Sequence, residues 1–260
     1  GYCSDDTNNN TAFGSAALCS LTSGTCNTAF GRHALCSLTT GSNNTAVGFR
    51  ALCLNTGHRN TAVGLKALNS NTTSSDNVAT GHLSLYTNTT GNNNIGIGKQ
   101  ALYSNTTSSY NTAVGGCALY SNTTGDCNTV IGVNAGDAIT TGSCNILVGR
   151  GADVSSATLS NAVAIGVGAS VTASNHIVIG NASTVCTCVY GDLSASGTMY
   201  ADAFNSVTGG STIDFNDSVD LAGNITLTGH ISAGNGYCSD DTNNNTAFGS
   251  AALCSLTSGT

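Results

Sequence analysis

The residues of this chain best placed to do chemistry are its 12 cysteines, because several return at a fixed interval. Cys19, Cys36 and Cys53 follow one another at a 17-residue interval, and so do Cys127 and Cys144, with Cys26 in the same register as the second pair. A constant interval lines side chains up only if the backbone repeats at that interval. Thiols aligned in this way can close disulfides between neighbouring repeats, provided their Cβ atoms face each other. Such bonds would lock one repeat to the next, or one chain to its partner. Cys186 and Cys188, with one residue between them, are a further candidate staple. Buried free thiols are the alternative state. Cys-x-Cys with a distant His176 lacks the paired Cys-x2-4-Cys spacing of a zinc site, so neither metal nor cofactor is expected. Disulfides persist outside the cytosol, which places the expected location at the cell exterior, the cell surface or a virion fibre.

Other reactive groups are sparser. Asp5-Asp6 and Asp240-Asp241 could hold calcium, but no EF-hand or RTX spacing surrounds them, and a solvated acidic turn explains them better. The glycan acceptor pattern Asn-x-Ser/Thr occurs at Asn71, Asn88, Asn105 and Asn122, all at one turn of the repeat. It also occurs at Asn9, Asn43, Asn181, Asn216, Asn224 and Asn244. The plainer explanation is that Asn and Thr build the turn. Tyr86, Tyr103 and Tyr120 share one column, where packing between repeats is expected, although an exposed aromatic ladder could meet sugars. No phosphate-binding glycine loop and no nucleophile elbow is present, so catalysis is not expected.

Composition narrows the partners. Only 7% of the residues are charged, the net charge is -7, every acidic residue is Asp, and Pro and Trp are absent. The six basic residues, Arg32, Arg50, Arg59, Lys66, Lys99 and Arg150, make no dense patch in the sequence, so no nucleic acid is expected. No apolar run approaches the ~20 residues that span a bilayer. The surface must rely on Asn, Thr and Ser for solubility.

The element that positions these residues is a short cassette ending in glycine. Gly14, Gly31, Gly48, Gly64, Gly81, Gly98, Gly115, Gly132 and Gly149 recur at a 17-residue interval, with one step of 16. The residue before each glycine is Phe13, Phe30, Val47, Val63, Thr80, Ile97, Val114, Ile131 or Val148. Two residues earlier stand Thr11, Thr28, Thr45, Thr61, Val78, Ile95, Thr112, Thr129 and Ile146, and between the two columns lies mostly Ala. Period-two alternation makes this a strand. Both faces look buried: the Thr, Phe, Val and Ile columns are expected to fill the coil, and the Ala column to admit another strand or chain. That second cover points to a homotrimer or another axial assembly, with a wrap-around loop as the alternative. Ala-Leu after the glycine is expected to begin a second strand. Eleven rungs through Gly180 would then rise about 50 Å.

The expected divisions are a 17-residue-repeat β-roll at 1–153, a tighter roll at 154–190, a thin β-structured stalk at 191–235 and the start of a second module at 236–260. Residues 1–25 and 236–260 are identical, which indicates tandem duplication, and the expectation is an excerpt of a longer tandem array or a filament whose joint occurs twice. In the tighter part, Asn161-Ala-Val-Ala-Ile-Gly166 is followed by Ile177-Val-Ile-Gly180 at a 14-residue step in place of the 17-residue one. These motifs resemble the head repeats of trimeric autotransporter adhesins of the YadA type, and the 17-residue cassettes and the stretch after Gly191 resemble phage tail-fibre-like repeat proteins. The resemblance implies a trimeric parallel β-roll with its valines and isoleucines turned inward.

Together these features predict an all-β parallel β-solenoid serving as a structural module of a long fibre, its rungs stiffened by disulfides and its main partner itself. The rival readings are an adhesive head that binds a cell-surface glycan or receptor, and an ice-binding solenoid.

Overall fold

A computed structural model of the chain describes residues 2–5 and 8–184. The expected stalk, the second module and the Cys186–Cys188 staple lie outside these residues. The described residues belong to one compact unit and form an all-β parallel solenoid with no helix.

Each rung contributes one short strand in the apolar stretch between the cassette asparagine and glycine. The strands are β1 (Tyr2–Asp5), β2 (Asn10–Phe13), β3 (Thr28–Phe30), β4 (Thr45–Val47), β5 (Thr61–Val63), β6 (Val78–Thr80) and β7 (Ile95–Ile97). They continue as β8 (Thr112–Val114), β9 (Thr129–Ile131), β10 (Ile146–Val148), β11 (Asp153–Val154), β12 (Val163–Ile165), β13 (Ser170–Val171) and β14 (Ile177–Ile179). Of these, β1, β11 and β13 lie outside the cassette stretch. From β2 to β14 the main sheet is parallel and in register, so Thr11 stands over Thr28, Thr28 over Thr45 and Thr45 over Thr61. Strand β1 runs the other way along β2 and covers its outer edge. The shortening to a 14-residue rung is taken up outside the strand, because Val163 pairs with Ile177 in the same register.

The faces are the reverse of those expected. The Ala column points into the coil: Ala12, Ala29, Ala46, Ala62, Ala79 and Ala113 are buried. The Thr and Phe/Val/Ile columns point out, with Phe30 53% and Ile97 40% exposed. In the 14-residue rungs, too, the isoleucines face outward: Ile165 and Ile179 are exposed while Ala164 is buried. The reason is volume. The coil is narrow, and Leu18, Leu35, Leu52, Leu68, Leu85, Leu102 and Leu119 already occupy the space behind the strand, joined at a second interior position by Leu38 and Ile139 in two of the rungs. Only a methyl group fits against them. Where the leucine is replaced by Gly136, the strand column enlarges to Val130 and Leu147, whose methyl groups fill the space a Cβ at Gly136 would meet.

Those leucines do not lie on a second strand. They have φ between 48° and 54°, and the residue two positions before each is also left-handed. Such residues cost about 1–2 kcal/mol each outside glycine. Stacking offsets that cost: Leu18 N–H donates to the Ala34 carbonyl at 3.1 Å and Leu35 N–H to Ala51 at 3.1 Å, so the kinked backbone still bonds rung to rung. A second sheet forms only between β11 and β13.

The asparagines are interior as well. Asn10, Asn27, Asn44, Asn60, Asn77, Asn94, Asn111, Asn128 and Asn145 are buried in one ladder. Asn27 Oδ1 accepts from Asn44 N–H at 3.0 Å, while Asn27 Nδ2 donates to the Gly41 carbonyl at 2.9 Å. Each amide thus ties its own rung closed and bonds to the next one. Buried polar groups are tolerated when satisfied in this way.

Candidate functional site

Three surfaces of the coil bring side chains together. The first is the outer strand face. It carries Thr11, Thr28, Thr45, Thr61, Thr112 and Thr129 in one column and Phe13, Phe30, Val63, Ile97 and Ile131 in its neighbour, all exposed or half-exposed. Phe13 and Phe30 stack at 4.8 Å between centroids. Ile95, Ile146, Ile165, Ile177 and Ile179 extend the apolar character to the far end, with Ile177 69% exposed.

The second is the corner where the chain leaves each cassette glycine. The two residues after the glycine include Arg32, His33, Arg50, Lys66, His82, Lys99 and Arg150. Five of the chain's six lysines and arginines therefore share two adjacent columns, although they look scattered in the sequence. The backbone fixes the alignment: Arg50 N–H donates to the Arg32 carbonyl at 3.0 Å, Lys66 N–H to Phe49 at 2.9 Å and Gln100 N–H to His82 at 2.9 Å. Phe49 lies between two guanidinium groups, with Arg32 Cζ 5.9 Å and Arg50 Cζ 5.5 Å from its ring centre. Lys66 Nζ lies 6.0 Å from the Tyr86 ring centre. Tyr86, Tyr103 and Tyr120 stack at 5.4 and 5.0 Å, half-buried beside this corner. Among the described residues the one ion pair is Arg59–Asp76 at 2.7 Å, on another column. The signal was present in the sequence as position relative to the glycine rather than as a cluster along the chain.

The third is the thiol column. Cys19 Sγ lies 3.0 Å from Cys36 Sγ on the next rung, and Cys53 follows one rung further. The hydrogen bond with Cys19, reinforced by burial, pushes the Cys36 thiol up to about 11. Burial raises Cys53 as well, against the pull of Arg50. Cys127 is raised by burial and by its neighbour Cys144. Fixed spacing thus does put these cysteines side by side, and the described ones stand as thiols. Among the described residues no three His, Cys or Asp side chains gather as a metal ion would require. Asp5 ends β1 opposite Asn10, in a strand rather than a turn.

The candidate glycan acceptors are inside the coil. Asn71, Asn88, Asn105 and Asn122 occupy the position that Leu38 and Ile139 fill in other rungs, and all are fully buried. Asn88 Nδ2 donates to Asn71 Oδ1 at 2.9 Å and to the Gly91 carbonyl at 2.9 Å, and Asn105 Nδ2 donates to Asn88 Oδ1 at 2.8 Å. The nitrogen that a sugar would modify is therefore engaged within the core, so the folded coil does not present these residues for glycosylation. They are structural.

No family model matches the chain, and no curated protein matches it either. No helix among the described residues is long and apolar enough to cross a membrane.

Proposed function

We propose that this chain is a structural module of a long extracellular or virion fibre, in which copies of the solenoid pack through their outer strand faces as a homotrimer. The observation that carries the reading is the outward row of Phe13, Phe30, Ile97, Ile131, Ile165 and Ile179 on one parallel sheet. Contiguous apolar surface on this scale is rare on soluble monomers and marks an association surface. Strands buried on both faces after assembly match the loss of simple hydrophobic alternation in the cassette. The exact duplication of residues 1–25 at 236–260 suits a repeating filament body better than a single tip. The resemblance to trimeric autotransporter heads and tail-fibre-like repeats supports a trimer, but not this face, because the isoleucines that it places inside the roll lie outside here.

Disulfides complete the proposal. Cys19 with Cys36, and Cys127 with Cys144, would each join two rungs by giving up two protons and two electrons to a small-molecule disulfide, which leaves as two thiols. Oxidation outside the cytosol would hold the pairs closed.

Sedimentation velocity of the full chain tests the assembly. A trimer is expected, and Ile97→Asp with Ile131→Asp, which places charge on the outer face without touching the core, should reduce it to monomer. A monomeric wild type would contradict the proposal.

One observation favours a second reading. Thr11, Thr28, Thr45 and Thr61 face outward at strand spacing, as an ice-binding solenoid would require. The neighbouring column mixes Phe, Val, Thr and Ile, so the face is uneven, and the fibre reading is preferred. Thermal hysteresis in a solution of the monomeric variant would reverse that preference.

A further inference from the structure

We propose that the basic corner of the coil binds a linear acidic polysaccharide, with Arg32, Arg50, Lys66, Lys99 and Arg150 meeting its carboxylate or sulfate groups. This goes beyond the fibre reading and does not depend on it. The chain is acidic overall, at -7, yet these five cations line one edge. Among the described residues none of them forms an ion pair, since the ion pair found there uses Arg59. Cations collected on one side of an acidic molecule and left without carboxylate partners create a local positive potential that attracts an anion.

Spacing selects the kind of anion. Arg32, Arg50 and Lys66 sit on consecutive rungs, Lys99 two rungs later and Arg150 three rungs after that. With rungs about 4.8 Å apart the five charges span about 34 Å, or one per 8 Å on average. Duplex DNA carries one charge per about 1.7 Å, far denser than this row can neutralise. A linear polysaccharide with one carboxylate or sulfate per sugar or per disaccharide is far sparser in charge, and its sugar length is close to the rung spacing.

The aromatic residues at the corner point the same way. Recognition of single-stranded nucleic acid uses open ring faces on which bases stack. Here Tyr86, Tyr103 and Tyr120 cover one another, with interplanar angles of 13° and 4°. Phe49 has guanidinium groups over it. What the stack offers a ligand is ring edges and phenol groups, which suit sugar C–H and hydroxyl groups rather than bases.

Titration of the full chain with fluorescently labelled hyaluronan, which carries one carboxylate per disaccharide, at low salt tests the proposal. The variant Arg32→Ser/Arg50→Asn/Lys66→Asn uses residues found at the same columns in other rungs, namely Ser15 and Asn134, so the coil should be kept. Circular dichroism and the unfolding midpoint check this. Three exposed charge contacts are removed, and affinity should fall about tenfold. The single variants Arg50→Asn and Arg59→Ser change net charge equally, and only Arg50→Asn should weaken binding. Absence of hyaluronan binding by the wild type would overturn the proposal. So would equal binding by the triple variant and the wild type, or equal loss in the two single variants. Tighter binding of an oligodeoxythymidylate than of hyaluronan would assign the corner to nucleic acid instead.

Discussion

Asn88 shows what a single residue does in this coil. Its amide bonds to rungs on both sides and to its own turn, so Asn88→Leu should unfold the chain more easily even though Leu38 fills the same column. A leucine removes one bond each from the Gly91 carbonyl, Asn71 Oδ1 and Asn105 Nδ2, which keep only Asn77, Ser74 and Ser108 as partners there. The expected loss is about 1–2 kcal/mol, read from the urea unfolding midpoint. Cys36 makes a second prediction at this scale. Its thiol is held protonated in the fold, up to about 11 from 9.0. A raised folded value means that the contribution to stability is full below pH 9.0, declines as pH rises and is lost through about 11. In the reduced protein, alkylation of Cys36 by iodoacetamide should stay slow at about pH 9, where an ordinary thiol is half ionised. Rapid labelling there would show that the Cys19 contact does not persist. The cysteine columns were legible from spacing alone. The burial of the asparagines was not, because Asn before Thr reads equally well as a solvated turn, and only the neighbouring rung supplies the partners that make its burial tolerable.

At the scale of the rung, the cassette glycine and the left-handed residues after it close the coil. Gly48 has φ +134°, and a Cβ there would lie 2.5 Å from the Gly64 carbonyl oxygen. Gly48→Ala should therefore cost about 3 kcal/mol or more, since backbone strain and a clash with the next rung combine. Gln100 gives the opposite prediction. It is left-handed at φ 57°, in a column where other rungs use Gly151 and Gly168. Gln100→Gly should leave stability unchanged or raise it by up to about 1 kcal/mol, whereas Gln100→Val should lower it by more than about 1 kcal/mol. Thermal unfolding of the two variants separates the outcomes. The strand was readable from its alternation, and its neighbour was not. Ala-Leu has no turn signal, and leucine turns left-handed here only because the interior takes its side chain and the next rung takes its N–H. Alternation also could not say which face was inside. That depended on how little room a 17-residue coil leaves, which is set by leucines on the opposite wall.

For the whole solenoid, parallel register and an outward apolar face are the features from which function is argued. The 17-residue recurrence of glycine was sufficient to read the all-β solenoid and its order of rungs. Its basic corner escaped notice because Arg32, Arg50 and Lys66 are far apart along the chain and come together only when the rungs are stacked. The fibre reading stands or falls on the strand face, where Phe30, Ile97, Ile131 and Ile179 are proposed to be buried against other copies. Electron cryo-microscopy of the purified full chain under non-reducing conditions would show that face in its assembled state. Parallel rungs about 4.8 Å apart in three solenoids around a common axis, with these side chains at the contact, are the expected result. Separate single solenoids with Thr28 and Ile97 open to solvent would contradict it.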